Sequence, residues 1–145
     1  MISLIIGNKG SGKTKHLIED VNAAVAASNG NVVCIEKGNK LRFDVSSSAR
    51  LIDIEEFGIS GYDAYYGFLS GICAGNYDVT HVLGDATLRI VGRDYDKVVD
   101  FLDVFQSIRI VLSRGCWKFT TVFFNAVDDS VSQHIGSFHK SSFSF

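Results

Sequence analysis

The sequence predicts a three-layer α/β/α domain on a mainly parallel sheet, and three observations carry that prediction. Short apolar runs of β character alternate with segments of helical period along the chain. The first apolar run passes directly into a glycine-rich loop and then into a helical pattern. The length, 145 residues, holds one domain and leaves little for a second.

Taken in order, Ile2 to Ile6 (ISLII) is short, continuous and apolar, as a strand covered on both faces is. The loop GNKGSGKT follows at residues 7–14. From Lys13 the period changes: Leu17, Ile18, Val21, Ala24, Val25 and Ser28 recur at helical spacing, with alanines between them that favour helix. Asn29-Gly30 is expected to stop that helix in a left-handed conformation. Val32 to Ile35 is a second apolar run, so residues 2–35 read as strand, helix, strand with a parallel crossover.

Leu41 to Val45 and Arg50 to Ile54 are both strand-like, and either a hairpin or a strand beside an irregular loop fits them. Tyr62, Tyr65, Tyr66, Leu69 and Cys73 then mark a helix ending near Gly75-Asn76. Asp78 to Asp85 reads as a strand softened by Thr80, His81 and Gly84. Asp94 is placed to cap the next helix, whose stripe is Val98, Phe101, Leu102, Phe105, Ile108 and Leu112, with Gly115 at its end. Trp117 to Phe124 is the last β-rich run, and Asp128 and Asp129 can begin a short helix reaching Ile135. This makes residues 1–136 the domain and 137–145, serine-rich with scattered phenylalanines, an expected flexible C-terminal tail. Proline is absent, which leaves glycine and Asn-Gly pairs to separate the elements.

Composition narrows the function classes. A formal charge of −2 and the lack of any lysine or arginine run give no clear signal for nucleic acid. Cys34, Cys73 and Cys116 are odd in number and far apart, so they read as small buried hydrophobes in a reducing cytoplasm. No apolar run approaches the roughly 20 residues a bilayer crossing needs, and the expected location is cytoplasmic, without a membrane partner. A protein partner stays open.

The chemistry centres on Gly7, Gly12, Lys13 and Thr14, which satisfy G-x-x-x-x-G-K-[ST], the pattern of a loop that cradles nucleoside triphosphate phosphates. Its context, between a strand and a helix N-terminus, is the one in which backbone N–H groups and the helix dipole converge on an anion. Gly7, Asn8, Lys9, Gly10, Ser11, Gly12, Lys13 and Thr14 are therefore the expected nucleotide contacts. Lys13 reaches the β and γ phosphates, and Thr14 offers its hydroxyl to Mg²⁺ accompanying ATP. Asp85 is the first choice for the acid beyond that ion and Asp53 the substitute, because both end strand-like runs.

Glu36, at the end of the second run, is the candidate to orient or deprotonate an attacking water; binding a ribose hydroxyl or pairing with Lys37 are its alternatives. Glu55 and Glu56 stand behind it in that role. Arg93, with Arg89, is the candidate to neutralise transition-state charge. Tyr62, Tyr65, Tyr66 and Phe68 could stack on a base, but their helical spacing favours core packing. The four histidines, His16, His81, His134 and His139, form no metal-ligand pattern.

The segments LIIGNKGSGKT, NVVCIEKGNKLRFD, RLIDIEEFGISGYDAYYGFLSGICAGNYD and LRIVGRD together resemble a family of small bacterial P-loop proteins labelled twitching motility protein PilT. The resemblance spans nearly the whole chain and weakens after about Gly115. It implies a P-loop NTPase-like fold and an ATP-binding role, with Lys13, Thr14 and Asp85 matching the family's nucleotide site. A slow Mg²⁺-dependent ATPase is the leading expectation; a nucleotide-sensing interaction module without turnover and a small-molecule kinase are the alternatives.

Overall fold

The computed structural model describes residues 2–7, 10–94, 96–101, 103–104 and 118–124. Five strands form one parallel sheet: β1 (Ile2–Gly7), β2 (Asn31–Glu36), β3 (Arg50–Asp53), β4 (Val79–Gly84) and β5 (Lys118–Phe124), in the order β1-β5-β4-β2-β3. Three helices connect them, α1 (Lys13–Ala27), α2 (Tyr62–Gly75) and the short α3 (Thr87–Val91). A further helical stretch occupies 96–101 and 103–104. Among the described residues, no helix is long and apolar enough to cross a membrane.

β2 shows why helices cover both faces of the sheet. Its residues 32–36 are all buried, and alternate side chains of a strand point to opposite faces. Val32 and Cys34 pack with Leu17, Val21 and Ala24 of α1, whereas Val33 and Ile35 pack with Tyr65, Leu69 and Cys73 of α2 and with Val98 and Phe101. The tyrosines of α2 are core residues, as their spacing favours. Tyr65 stacks on Phe101 at 5.7 Å between ring centroids, and Tyr62 meets the same ring edge-on at 5.4 Å.

Of the two arrangements that fit residues 41–54, the structure has the strand beside an irregular loop: Leu41–Val45 is an irregular turn, in which Leu41 O accepts from the backbone N–H groups of Asp44 and Val45 at 3.0 Å. That turn brings Leu41 and Val45 onto one side, where both are buried against the α1 layer. One local expectation needs correction: α1 does not end in a left-handed Asn29-Gly30. Its C-cap Ser28 is extended, at φ −90 and ψ 140, and neither following residue is among those with positive φ. Gly30 is required for a different reason: a Cβ there would collide with the Asp78 carbonyl and the Thr80 side chain.

β1, β2, β3, α2, β4 and β5 fall close to their expected bounds, whereas α3 and the 3-10 turn Ile54–Phe57 were not expected. Asp94 caps the stretch at 96, with its carboxylate accepting from Lys97 N at 3.4 Å. The remainder of that helix stripe, from Phe105 to Gly115, the short helix after Asp128 and the tail at 137–145 lie outside the described residues, as do Trp117 and Cys116.

Because all strands run the same way, Gly7, Glu36, Asp53 and Gly84 finish at one edge of the sheet. The chain leaves β1 toward the α1 face and leaves β4 toward the opposite face, where Leu88, Ile90 and Val98 pack. In open parallel sheets the crevice outside such strand ends is where ligands collect.

Candidate functional site

The glycine loop enters this crevice from β1. Gly10 and Gly12 have φ of 86 and 82, left-handed values that only glycine adopts without strain. A Cβ at either would meet nothing within 4 Å, so conformation and not crowding demands glycine here. Gly12 is the N-cap of α1; it offers no side-chain cap, and no acidic residue lies in the first turn. The helix start thus carries its dipole and backbone donors with no carboxylate of its own in the first turn, an arrangement suited to an anion. Gly7 ends β1 beneath the loop. Asn8 and Lys9 lie outside the described residues.

Lys13 is only 5 % exposed, and its Nζ donates to Ser11 Oγ at 3.1 Å. Burial draws the ammonium pKa below its ordinary value, and the carboxylate of Asp85 pushes it back up. Thus β1 and β4, separated in the sheet by β5, deliver a lysine and an aspartate to a common electrostatic environment. Asp53 does not share it. That carboxylate ends β3 at the far side of the sheet and accepts from Gly38 N at 3.1 Å and Glu55 N at 3.0 Å, capping the 3-10 turn Ile54–Phe57.

Asp85 is held by its backbone: its N–H donates to Ile35 O at 2.8 Å, and the chain then turns through Ala86 at φ 56, a left-handed value uncommon for alanine. Burial raises its pKa; the Ala86 N–H opposes that rise, the neighbouring Glu36 adds to it, and Arg89 and Lys40 oppose it. Its Oδ1 is buried without a hydrogen-bond partner, and Glu36 Oε1 is in the same condition. Two buried carboxylate oxygens at neighbouring strand ends thus lack a hydrogen-bond donor, although Arg89 and Lys40 bear electrostatically on Asp85.

Glu36 is 1 % exposed. Its Oε2 accepts from Lys40 N at 2.7 Å and Leu41 N at 3.0 Å, so the carboxylate anchors the loop that follows its own strand. Lys37 does not pair with it; the Lys37 Nζ donates to Arg89 O at 3.1 Å, joining this loop to α3. The loop's other end is held by Asn22 of α1, whose amide donates to Asp44 O at 3.1 Å and accepts from Ser46 N at 2.8 Å. Asn22 was not singled out by sequence, since an asparagine on a half-exposed helix face carries no local signal. Lys40, which bears electrostatically on Asp85, has only its place in the GNK run to mark it.

Arg89 lies within electrostatic reach of Asp85. Arg93 stands exposed beyond Gly92. Among the described residues, no hydrogen bond or ion pair joins Arg93 to Lys13, Glu36 or Asp85.

Could these residues hold a divalent cation? No group of three His, Cys, Asp or Glu able to do so occurs among the described residues. A half-buried Thr14 hydroxyl, in the first turn of the helix, and the partnerless Asp85 oxygen are hard oxygen donors. They fit Mg²⁺ of the kind that keeps its waters and takes its remaining oxygens from phosphates.

Beside the loop a cleft of ≈ 260 Å³ runs along α1, lined by Ile5, Gly12, Lys13, Lys15, His16 and Glu19. No protein-family model matches the chain, and no curated protein matches it.

Proposed function

We propose that the chain is an ATP-binding domain of P-loop NTPase-like fold that binds the nucleotide with Mg²⁺ and hydrolyses it slowly. The observation that carries this reading is Lys13: a buried ammonium at the uncapped start of α1, in a loop whose glycines take left-handed conformations, facing the electrostatic influence of Asp85. A phosphate chain at that point supplies the negative charge that the helix start and Lys13 favour. The family resemblance of the loop and its flanking segments belongs to the same reading.

In this scheme the loop backbone from Gly10 to Thr14 binds phosphate oxygens, and Lys13 leaves Ser11 to meet the β and γ phosphates. When bound, Mg²⁺ would be held by Thr14 and Asp85 and would neutralise phosphate charge. Glu36 Oε1, directed to no protein donor, is available to accept a proton or a hydrogen bond from water beside Asp85. Arg89 contributes positive charge on the α3 side.

Calorimetric titration of ATP with Mg²⁺ into the wild-type protein and into Lys13→Ala tests the proposal. Binding is expected for the first and at least about tenfold weaker affinity for the second, the loss of a charge-assisted contact of roughly 1.5–3 kcal/mol. Equal affinities would refute it. A second reading, binding without turnover, is favoured by the engagement of Glu36 Oε2 with its loop. Multiple-turnover phosphate release above the Lys13→Ala background decides between them.

A further inference from the structure

We infer that the cleft on the flank of α1 receives the nucleoside half of the bound nucleotide, with the His16 ring as the stacking surface for a purine base. This rests on the nucleotide-binding reading above and extends it to the unreactive end of the ligand.

The direction of the phosphate chain follows from Lys13 and Asp85. Their shared electrostatic environment marks the terminal-phosphate end, on the side of the loop toward β4. That side is filled by Asp85, Glu36 and the loop at 37–41, which Glu36 draws down. The sugar and base therefore leave in the other direction, away from β4, and there the cleft adjoins the same loop residues, Gly12 and Lys13. Its volume, ≈ 260 Å³, falls just under the roughly 300–1,000 Å³ of whole-ligand sites. That suits a fragment whose charged end is held elsewhere.

The lining has the chemistry of a base site. Ile5, 4 % exposed, gives an apolar floor. Gly12, His16 and Glu19 recur at helical spacing, so one face of α1 forms the wall. The imidazole of His16 stands between two carboxylates, Nδ1 at 3.9 Å from Glu19 and Nε2 at 3.8 Å from Asp20, with its side chain 40 % exposed. Both ring nitrogens are thus directed at acids on its own helix, and the exposed part of the ring can take a flat partner. Stacking accepts any base and gains with its area, so purines are preferred over pyrimidines.

The test uses the full chain, Mg²⁺, ATP, CTP and inorganic tripolyphosphate, the last lacking a nucleoside. In the wild type, ATP is expected to bind more tightly than both CTP and tripolyphosphate. His16→Ala should weaken ATP by about five- to thirtyfold, equivalent to about 1–2 kcal/mol of lost stacking, and leave tripolyphosphate unchanged. His16→Phe, which keeps an aromatic face and removes the ring nitrogens, should restore ATP binding.

ATP affinity unchanged in His16→Ala overturns the inference, as does equal weakening of tripolyphosphate by both variants, which would make His16 a phosphate contact. Lys13-dependent binding of tripolyphosphate with no advantage for ATP overturns the inference alone. No binding of either ligand to the wild type removes the underlying reading with it.

Discussion

Glu36 combines two residue-scale properties that a strand-end glutamate rarely joins: it is 1 % exposed, and one carboxylate oxygen serves two backbone donors while the other serves none. Removing the side chain strands the N–H groups of Lys40 and Leu41, a loss of roughly 2–4 kcal/mol. Glu36→Ala should therefore lower the urea midpoint with an unchanged m-value, and Glu36→Gln, which keeps an oxygen acceptor, should lower it less. A midpoint equal to wild type in Glu36→Ala would show that the loop does not depend on this anchor. The position of Glu36 at the end of an apolar run was legible in the sequence. Its partners were not, because Lys40 and Leu41 reach it only through a turn whose backbone follows no hydrophobic period. Gly30 teaches the same point: Asn-Gly reads as a left-handed stop, yet it is the neighbouring Asp78–Thr80 segment that excludes a side chain.

At the scale of elements, the segment between β2 and β3 connects the site to the body of α1. Glu36 holds it at residues 40 and 41, Asn22 holds it at 44 and 46, and Phe43 between them is 94 % exposed. Two hydrogen bonds to one amide contribute about 1–2 kcal/mol. Asn22→Ala is expected to speed tryptic cleavage after Arg42, an exposed residue in this segment, and to reduce amide-exchange protection at Ser46. Cleavage and exchange at wild-type rates would mean that the packing of Leu41 and Val45 suffices. The β character of Leu41–Val45 left a hairpin and an irregular loop both open, because two apolar residues four apart, Leu41 and Val45, also suit a turn that buries both.

For the whole molecule, the decisive feature is the strand order. β5, the last strand among the described residues, lies between β1 and β4, and so between the strands that carry the glycine loop and Asp85. The sheet buries Cys34 completely and Cys73 to 5 % exposure. Burial, followed by the charges of Glu36 and Asp85, pushes the Cys34 thiol up to about 12; burial pushes Cys73 up to about 11. Raised values mean that neither is a thiolate at pH 8 in the folded state, and both regain ordinary reactivity on unfolding. In a Cys116→Ser background, alkylation at pH 8 should therefore be negligible in water and rise along the urea unfolding transition. Rapid labelling of the native protein would contradict the burial of these positions.

By itself, the sequence marked the five strands, α1 and α2, and the loop that joins the first strand to α1, because hydrophobic period and glycine spacing are local properties of the chain; the short α3 and the 3-10 turn carried no such signal. It also nominated Asp85 as first choice and Asp53 as substitute, each ending a β-rich run. Only the tertiary structure set their different surroundings. Parallel strands need not neighbour those adjacent in sequence, so the distance from Lys13 to any acid depends on a strand order set by the packing of both sheet faces. That packing brings Lys13 under the influence of Asp85, commits Asp53 to capping the 3-10 turn, and leaves an open cleft beside His16.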